Sequence, residues 1–262
     1  MRTRIILILS AFCLVNACTS EKKLAYLNNL PKTGEEQRFT MSPPEYKIQA
    51  RDVLYITVKA MDPDGKITDF LGGANTAGSS SFAIGGGSSF LIGYTVNKEG
   101  NLILPVAGVI KAEGKTLDET RIALQNEFNK SYKNATVDCK LLSFKYTVIG
   151  EVKAPGTFYN YSDYLTVLEA IGQAGGVDDY GRRDNILIVR PLEKGTKTFT
   201  LNLQDKNILT SEAYFLMPND VIIVQPQKQK LFNINFPVFS AVLTTITGVL
   251  TTTLLLINYF GK

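Results

Sequence analysis

Histidine and tryptophan are absent from this 262-residue chain, and cysteine occurs only three times. Without histidine there is no Ser-His-Asp triad, no Cys-His pair and no His-ligated metal site. Any catalysis would fall to carboxylates or lysine, and no carboxylate pair stands apart from ordinary surface charge. The chain is therefore read as non-enzymatic, without cofactor or catalytic residue. A strong charge of either sign is also missing, with 28 Lys and Arg against 24 Asp and Glu. No basic run interleaves with aromatics, which argues against nucleic acid as a partner.

The most informative absence lies near the end of the chain. Between Lys230 and Lys262 no residue is charged. Residues 238–260, as a helix rising about 1.5 Å per residue, would extend roughly 34 Å against a hydrocarbon core of about 30 Å. Residues 232–260 are accordingly expected to form a transmembrane helix. Ser240, Thr244, Thr247, Thr251 and Asn258 recur at spacings of four, three, four and seven, which places them along one side of an α-helix. Val242, Ile246, Val249, Leu250, Leu256 and Ile257 occupy the other side. This polar stripe admits two readings. It can line a water-filled lumen, or belong to a single-pass anchor whose hydroxyls bond back to their own helix.

At the other end, Arg2 and Arg4 precede a short apolar run, 5–15, which has the form of a secretory signal covering residues 1–17. Val15-Asn16-Ala17-Cys18 resembles the lipobox of bacterial lipoproteins, with Cys18 acylated as the mature N-terminus, and Thr19 after it resembles an outer-membrane sorting signal. Several acyl chains on one residue anchor stably where a single chain does not. Cleavage before Cys18 would leave Cys139 as the sole other cysteine, so no intramolecular disulfide is possible and Cys139 reads as a small buried hydrophobe.

Between the ends the pattern is α+β. A lipidated linker, 18–44, contains Pro31, Gly34, Pro43 and Pro44. Leu54, Ile56 and Val58 then alternate in a strand over 46–59. The Gly/Ser-rich stretch 72–89 offers no periodic apolar face and reads as an insertion. Residues 94–97 and 101–104 are expected to pair as a hairpin about Lys98-Glu99-Gly100, and 106–111 continues as strand. Thr116 and Glu119 form a capping box opening a helix with Leu117, Leu124 and Phe128 on one face. A strand at 136–142 closes this unit, 45–143.

The second unit, 144–227, starts with a strand over 146–150 and a turn at Ala154-Pro155-Gly156. Thr166 and Glu169 form a second capping box, and Gly175-Gly176 ends that helix. Strands at 186–190, 197–203 and 221–225 follow. One short helix against a small mixed sheet is a β-grasp-like composition. Asp52, Arg182, Arg183 and Arg190 are read as solvated surface, with subunit-interface or sugar-facing charges as the alternative, and Tyr159, Tyr161 and Tyr164 as aromatics for sugar contact or subunit packing.

In their order, Tyr46, Ile48, Asp52, Val53, Leu54, Ile56 and Val58, then Val96, Gly100, Leu104, Pro105, Gly108, Gly114 and Thr116, resemble the polysaccharide-export domain of the Wza-like outer-membrane export proteins. Ala50-Arg51 stands where that family has Pro-Gly. Val148, Gly150, Val152, Pro155-Gly156, Leu168, Ala170, Ala174-Gly175-Gly176 and Arg190 resemble its soluble-ligand-binding β-grasp (SLBB) domain, present here in one copy where longer relatives carry two. The resemblance implies an outer-membrane channel subunit that exports capsular or exopolysaccharide as a passive conduit. It implies a closed homo-oligomeric ring, octameric in the best-known relative, whose C-terminal helices form an α-helical barrel. It also implies an inner-membrane co-polymerase and tyrosine kinase as partner. Ser240, Thr244, Thr247, Thr251 and Asn258 are then the pore-lining candidates. The alternative is a membrane-tethered sugar-binding periplasmic lipoprotein that is not a channel.

Overall fold

The computed structural model describes residues 24–31, 34, 36–61, 65–71 and 92–260. The expected signal, Cys18 and the 72–89 insertion lie outside the described residues.

The first unit is built around β1 (Val53–Met61), whose Val53, Leu54, Ile56, Val58 and Ala60 are buried. It pairs antiparallel with β2 (Ile67–Asp69) and β3 (Tyr94–Thr95) along one edge and with β6 (Thr136–Leu141) along the other. The expected hairpin takes a different form. The turn forms, with Gly100 at φ +77° and its N–H donating to Asn97 O at 2.9 Å. Yet β3 joins β1, and β4 (Asn101–Leu104) pairs instead with β5 (Gly108–Lys111). Val106, at φ +68°, sits in the β4–β5 turn rather than in a strand.

Helix α1 (Leu117–Ser131) begins where the capping box places it. The Glu119 N–H donates to Thr116 Oγ1 at 3.1 Å, and the Thr116 N–H donates back to Glu119 Oε2 at 2.8 Å. Thr120, Leu124 and Phe128 are its buried stripe, one residue per turn, and pack over β6 in a core with Ile56, Val58 and Val137. Cys139 is buried there and its thiol is pushed up to about 12, first by burial and then by Asp138. It stays protonated, as a hydrophobe does.

The second unit is a five-stranded mixed sheet ordered β10-β9-β11-β7-β8, formed by β7 (Lys145–Gly150), β8 (Gly156–Tyr159), β9 (Gly181–Pro191), β10 (Thr196–Leu201) and β11 (Val221–Pro226). The last strand enters the middle, parallel to β7 and antiparallel to β9. Tyr146, Val148, Ile186, Ile188, Ile222 and Val224 are buried on one face beneath α2 (Val167–Gln173). That helix carries the second capping box, and Gly175 and Gly176, at φ +76° and +87°, end it. This arrangement is the β-grasp-like composition read from the pattern.

The opposite face of the same sheet is apolar and hydroxyl-bearing, with one charge, Lys145, at the start of β7. Ile149, Leu187, Val189, Val221 and Ile223 are neighbours there by register and only partly covered, with Thr147, Thr157, Thr198 and Thr200 beside them. Immediately before β1, Asp52 ties the start of that strand to the last residue of the first unit. It accepts from Tyr46 Oη at 2.7 Å, the Gln49 N–H at 2.8 Å and Ser143 Oγ at 3.0 Å, while Ser143 Oγ accepts from the Val53 N–H at 3.2 Å.

Candidate functional site: the terminal helix and its root

Helix α3 (Lys228–Phe260) has 33 residues and rises directly out of β11. Gly150 sets that exit. At φ +93° a side chain there would place its Cβ 2.1 Å from the Val224 carbonyl oxygen, so only glycine lets β7 and β11 cross so closely. The root is then clamped. Lys230 Nζ meets Glu151 Oε1 at 2.6 Å, the Gln227 N–H donates to Tyr180 O at 2.7 Å, and Gln227 Nε2 donates to Gly181 O at 2.9 Å.

Beyond the root the helix stands clear of the body. Phe239–Phe260, 22 residues with no charged side chain, has none of its most apolar window buried. Phe239 is 62% exposed and Leu255 67%. Near the start of this span Pro237 removes the N–H that would bond Asn233's carbonyl.

Ser240, Thr244, Thr247, Thr251 and Asn258 fall on one side of this helix as their spacing requires, with Leu255 between them. Their hydroxyls do not wait for water. Ser240 Oγ donates to Pro237 O at 2.9 Å, Thr244 Oγ1 to Ser240 O at 2.8 Å, Thr247 Oγ1 to Leu243 O at 3.0 Å and Thr251 Oγ1 to Thr247 O at 2.8 Å. Thr245, Thr252 and Thr253, off the stripe, bond back in the same way. A threonine turned this way costs little in lipid and can still accept from water.

Three of the charges read as solvated surface are buried. Asp52 is 7% exposed, and burial, the largest influence, raises its pKa despite three hydrogen bonds. Arg190 pairs with Asp220, Nη2 to Oδ2 at 2.8 Å and Nε to Oδ1 at 3.0 Å, and also donates to Phe215 O at 2.9 Å. Arg183 donates only to backbone carbonyls. Sequence reasoning missed the two arginines because β9 (Gly181–Pro191) changes phase between 183 and 186, so residues seven apart, which simple alternation would put on opposite faces, are both buried. Arg182 is exposed, as expected, and pairs with Asp184 at 2.9 Å. Tyr161 and Tyr164 are exposed, while Tyr159 is half-buried. Among the described residues no group of three or more Cys, Asp or Glu is placed to hold a metal.

The body of this chain matches known families in the same two parts. The profile of the polysaccharide biosynthesis/export protein family covers residues 40–142, and that of the SLBB domain covers residues 144–224. The chain is a member of the Wza-like polysaccharide export family. It is 34% identical over 121 residues to the EPS I polysaccharide export outer membrane protein EpsA of Ralstonia nicotianae, across 45% of this chain and 31% of the relative. To the protein of the same name from Ralstonia solanacearum it is 28% identical over 142 residues, 52% of this chain and 37% of the relative. To the exopolysaccharide production protein ExoF of Rhizobium meliloti it is 36% identical over 97 residues, 34% of this chain and 23% of the relative. The chain thus aligns with about a third of the length of the two export relatives.

Proposed function

We propose that this chain is the subunit of an outer-membrane channel that exports capsular or exopolysaccharide as a passive conduit. Cys18 is lipidated, the body lies in the periplasm, and several copies close a ring whose C-terminal helices form the barrel. The observation that carries the reading is α3 itself: a helix whose uncharged span is long enough to cross, with a polar side and no partner for that span among the described residues. An export domain and an SLBB domain beneath it, shared with proteins named for polysaccharide export, supply the substrate class. The largely apolar, partly covered sheet face around Val189 and Ile223 suits subunit packing within such a ring. No side chain performs chemistry. Weak hydroxyl and amide contacts along the wall let a hydrated polymer pass without trapping it. Movement is then driven by synthesis and by an inner-membrane co-polymerase and tyrosine kinase.

Truncation after Leu231 tests the reading. Loss of polymer secretion with the body still folded supports it, and unchanged secretion overturns it, as does a chain that stays monomeric in mild detergent. The second reading, a tethered sugar-binding lipoprotein, draws on one observation: every described threonine hydroxyl of α3 is satisfied by its own helix. Replacing Thr244, Thr247 and Thr251 together by leucine separates the two. A tether tolerates the change, whereas a lumen loses its wetted wall and secretion falls.

A further inference from the structure

Beside the root of α3 opens a cleft of about 640 Å³, lined by Arg182, Arg183, Asp184, Gln204, Gln227 and Lys228 among others. Arg183 sets its character. It is 8% exposed and forms no ion pair among the described residues. Its Nη2 donates to Val177 O at 2.9 Å, and its Nη1 lies 3.4 Å from Asp178 O and 3.5 Å from Gly181 O. The Tyr26 ring covers it, with its centroid 5.7 Å from Cζ. Its Nε–H is buried with no acceptor.

The same sheet contains a control for this arrangement. Arg190, equally buried, has the Asp220 carboxylate on both Nε and Nη2. A buried cation lacking such a partner carries an uncompensated desolvation cost, which carbonyl dipoles offset in part. The rest of the cleft adds to the positive balance. Arg182 is matched by Asp184, but Lys228 is exposed and enters no ion pair among the described residues. Three carboxamides, Gln204, Gln227 and Gln229, also line it. Guanidinium and ammonium groups take a carboxylate, carboxamides take hydroxyls, and the volume exceeds by far what a bare ion fills.

We propose that this cleft binds a carboxylated sugar residue, with its carboxylate between Arg183 and Lys228 and its hydroxyls on the carboxamides. The sugar, as ligand class, rests on the export reading above. The cleft would hold an acidic polymer at the foot of the helix without closing around it.

Calorimetric titration of the full-length protein in detergent tests this with hexagalacturonate and, as a neutral chain of equal length, maltohexaose. Hexagalacturonate is expected to bind and maltohexaose not. Lys228→Glu, at an exposed site where folding is not at stake, weakens binding by about tenfold or more, the loss expected for a charge-assisted contact. Lys133→Glu, on the surface of the other unit, leaves it unchanged. Absence of hexagalacturonate binding, equal binding of maltohexaose, or a Lys228→Glu variant that binds like the parent overturns the proposal. Tighter binding of inorganic phosphate than of hexagalacturonate also overturns it, because the cleft would then belong to a phosphate. The conduit reading is judged separately, by secretion from the truncated chain. A protein that secretes normally only with α3 intact, yet binds no hexagalacturonate, loses the cleft and keeps the channel.

Discussion

The body and the terminal helix solve the same problem in opposite ways. In the body, buried polar groups are matched by groups distant in sequence: Arg190 by Asp220, and Asp52 by Ser143. In α3 each serine and threonine hydroxyl is matched by a carbonyl three or four residues earlier, and no other element among the described residues buries the span. The body is thus complete as a water-soluble fold, while α3 is complete only as a backbone. Its side chains are left for surroundings that the single chain does not contain. The change falls at Lys230, the last charge before the span, which is clamped to Glu151.

If that contrast holds, damage to the long-range pairs should unfold the body, and damage to the stripe should not. The largest effect is expected at Asp220→Ala, which leaves Arg190 buried and unpaired and costs about 3–5 kcal/mol. Denaturant melts of the detergent-solubilised chain would read this as a large fall in midpoint. Next is Gly150→Val, whose Cβ would meet the Val224 carbonyl at 2.1 Å. Displacing β11 should cost about 2 kcal/mol or more and loosen the root of α3, seen as faster amide exchange over 226–231. By comparison, the triple leucine substitution at Thr244, Thr247 and Thr251 should move the body's midpoint by less than about 0.5 kcal/mol. A larger shift would mean that α3 packs on the body and that the two regions are not separate.

Much of this contrast was legible in the chain itself. Both capping boxes, Thr116/Glu119 and Thr166/Glu169, and the Gly175-Gly176 stop of α2 are local signals, set within a few residues, and the structure places them where the spacing does. What failed was non-local. Residues 94–104 carry the signature of a hairpin, and the turn forms, but strand partners are chosen by which edge is open. β1 offered an edge to β3, and β5 offered one to β4. The burial of Arg190 was hidden for a similar reason, since Asp220, which satisfies it, lies far along the chain, whereas Arg183 turns onto carbonyls just before it, at Val177, Asp178 and Gly181, through a phase change that alternation does not announce. The stripe on α3 was legible as a pattern. The bonds of its hydroxyls to their own helix follow from elementary geometry and leave both readings of the stripe standing until copies are counted.

A smaller effect, with a defined pH dependence, is expected at Asp52, where the two units meet. Asp52→Asn replaces one accepting oxygen by a donor facing Ser143, whose hydroxyl must then turn, at a cost of about 1–2 kcal/mol. Burial raises the pKa of this carboxyl in the folded state above its ordinary 3.8, so folding favours its protonated form. The stability it contributes is fully present below about pH 4 and is lost as pH rises through the raised value. The deficit of Asp52→Asn relative to the parent should therefore be greatest in acid and shrink toward neutrality. A deficit that grows with pH would mean that the three donors outweigh burial.

The smallest expected change runs in the stabilising direction and shows that the body is not everywhere relaxed. Arg51 is held at φ +75°, beside Asp52, at the position where the family resemblance has glycine. A residue with a Cβ costs about 1–2 kcal/mol in that left-handed conformation. Glycine removes the strain but gives back about 0.5–1 kcal/mol as added freedom of the unfolded chain. Arg51→Gly should thus stabilise by about 0.5 kcal/mol, a rise of roughly 1–2 °C in thermal midpoint for a domain pair of this size. The arginine is exposed and lines a cleft of about 400 Å³ with Lys145 and Tyr159, where the two units meet. If the variant melts lower than the parent, the Arg51 side chain supplies contacts that exceed its backbone strain. The start of β1 would then be held by Arg51 as well as by Asp52.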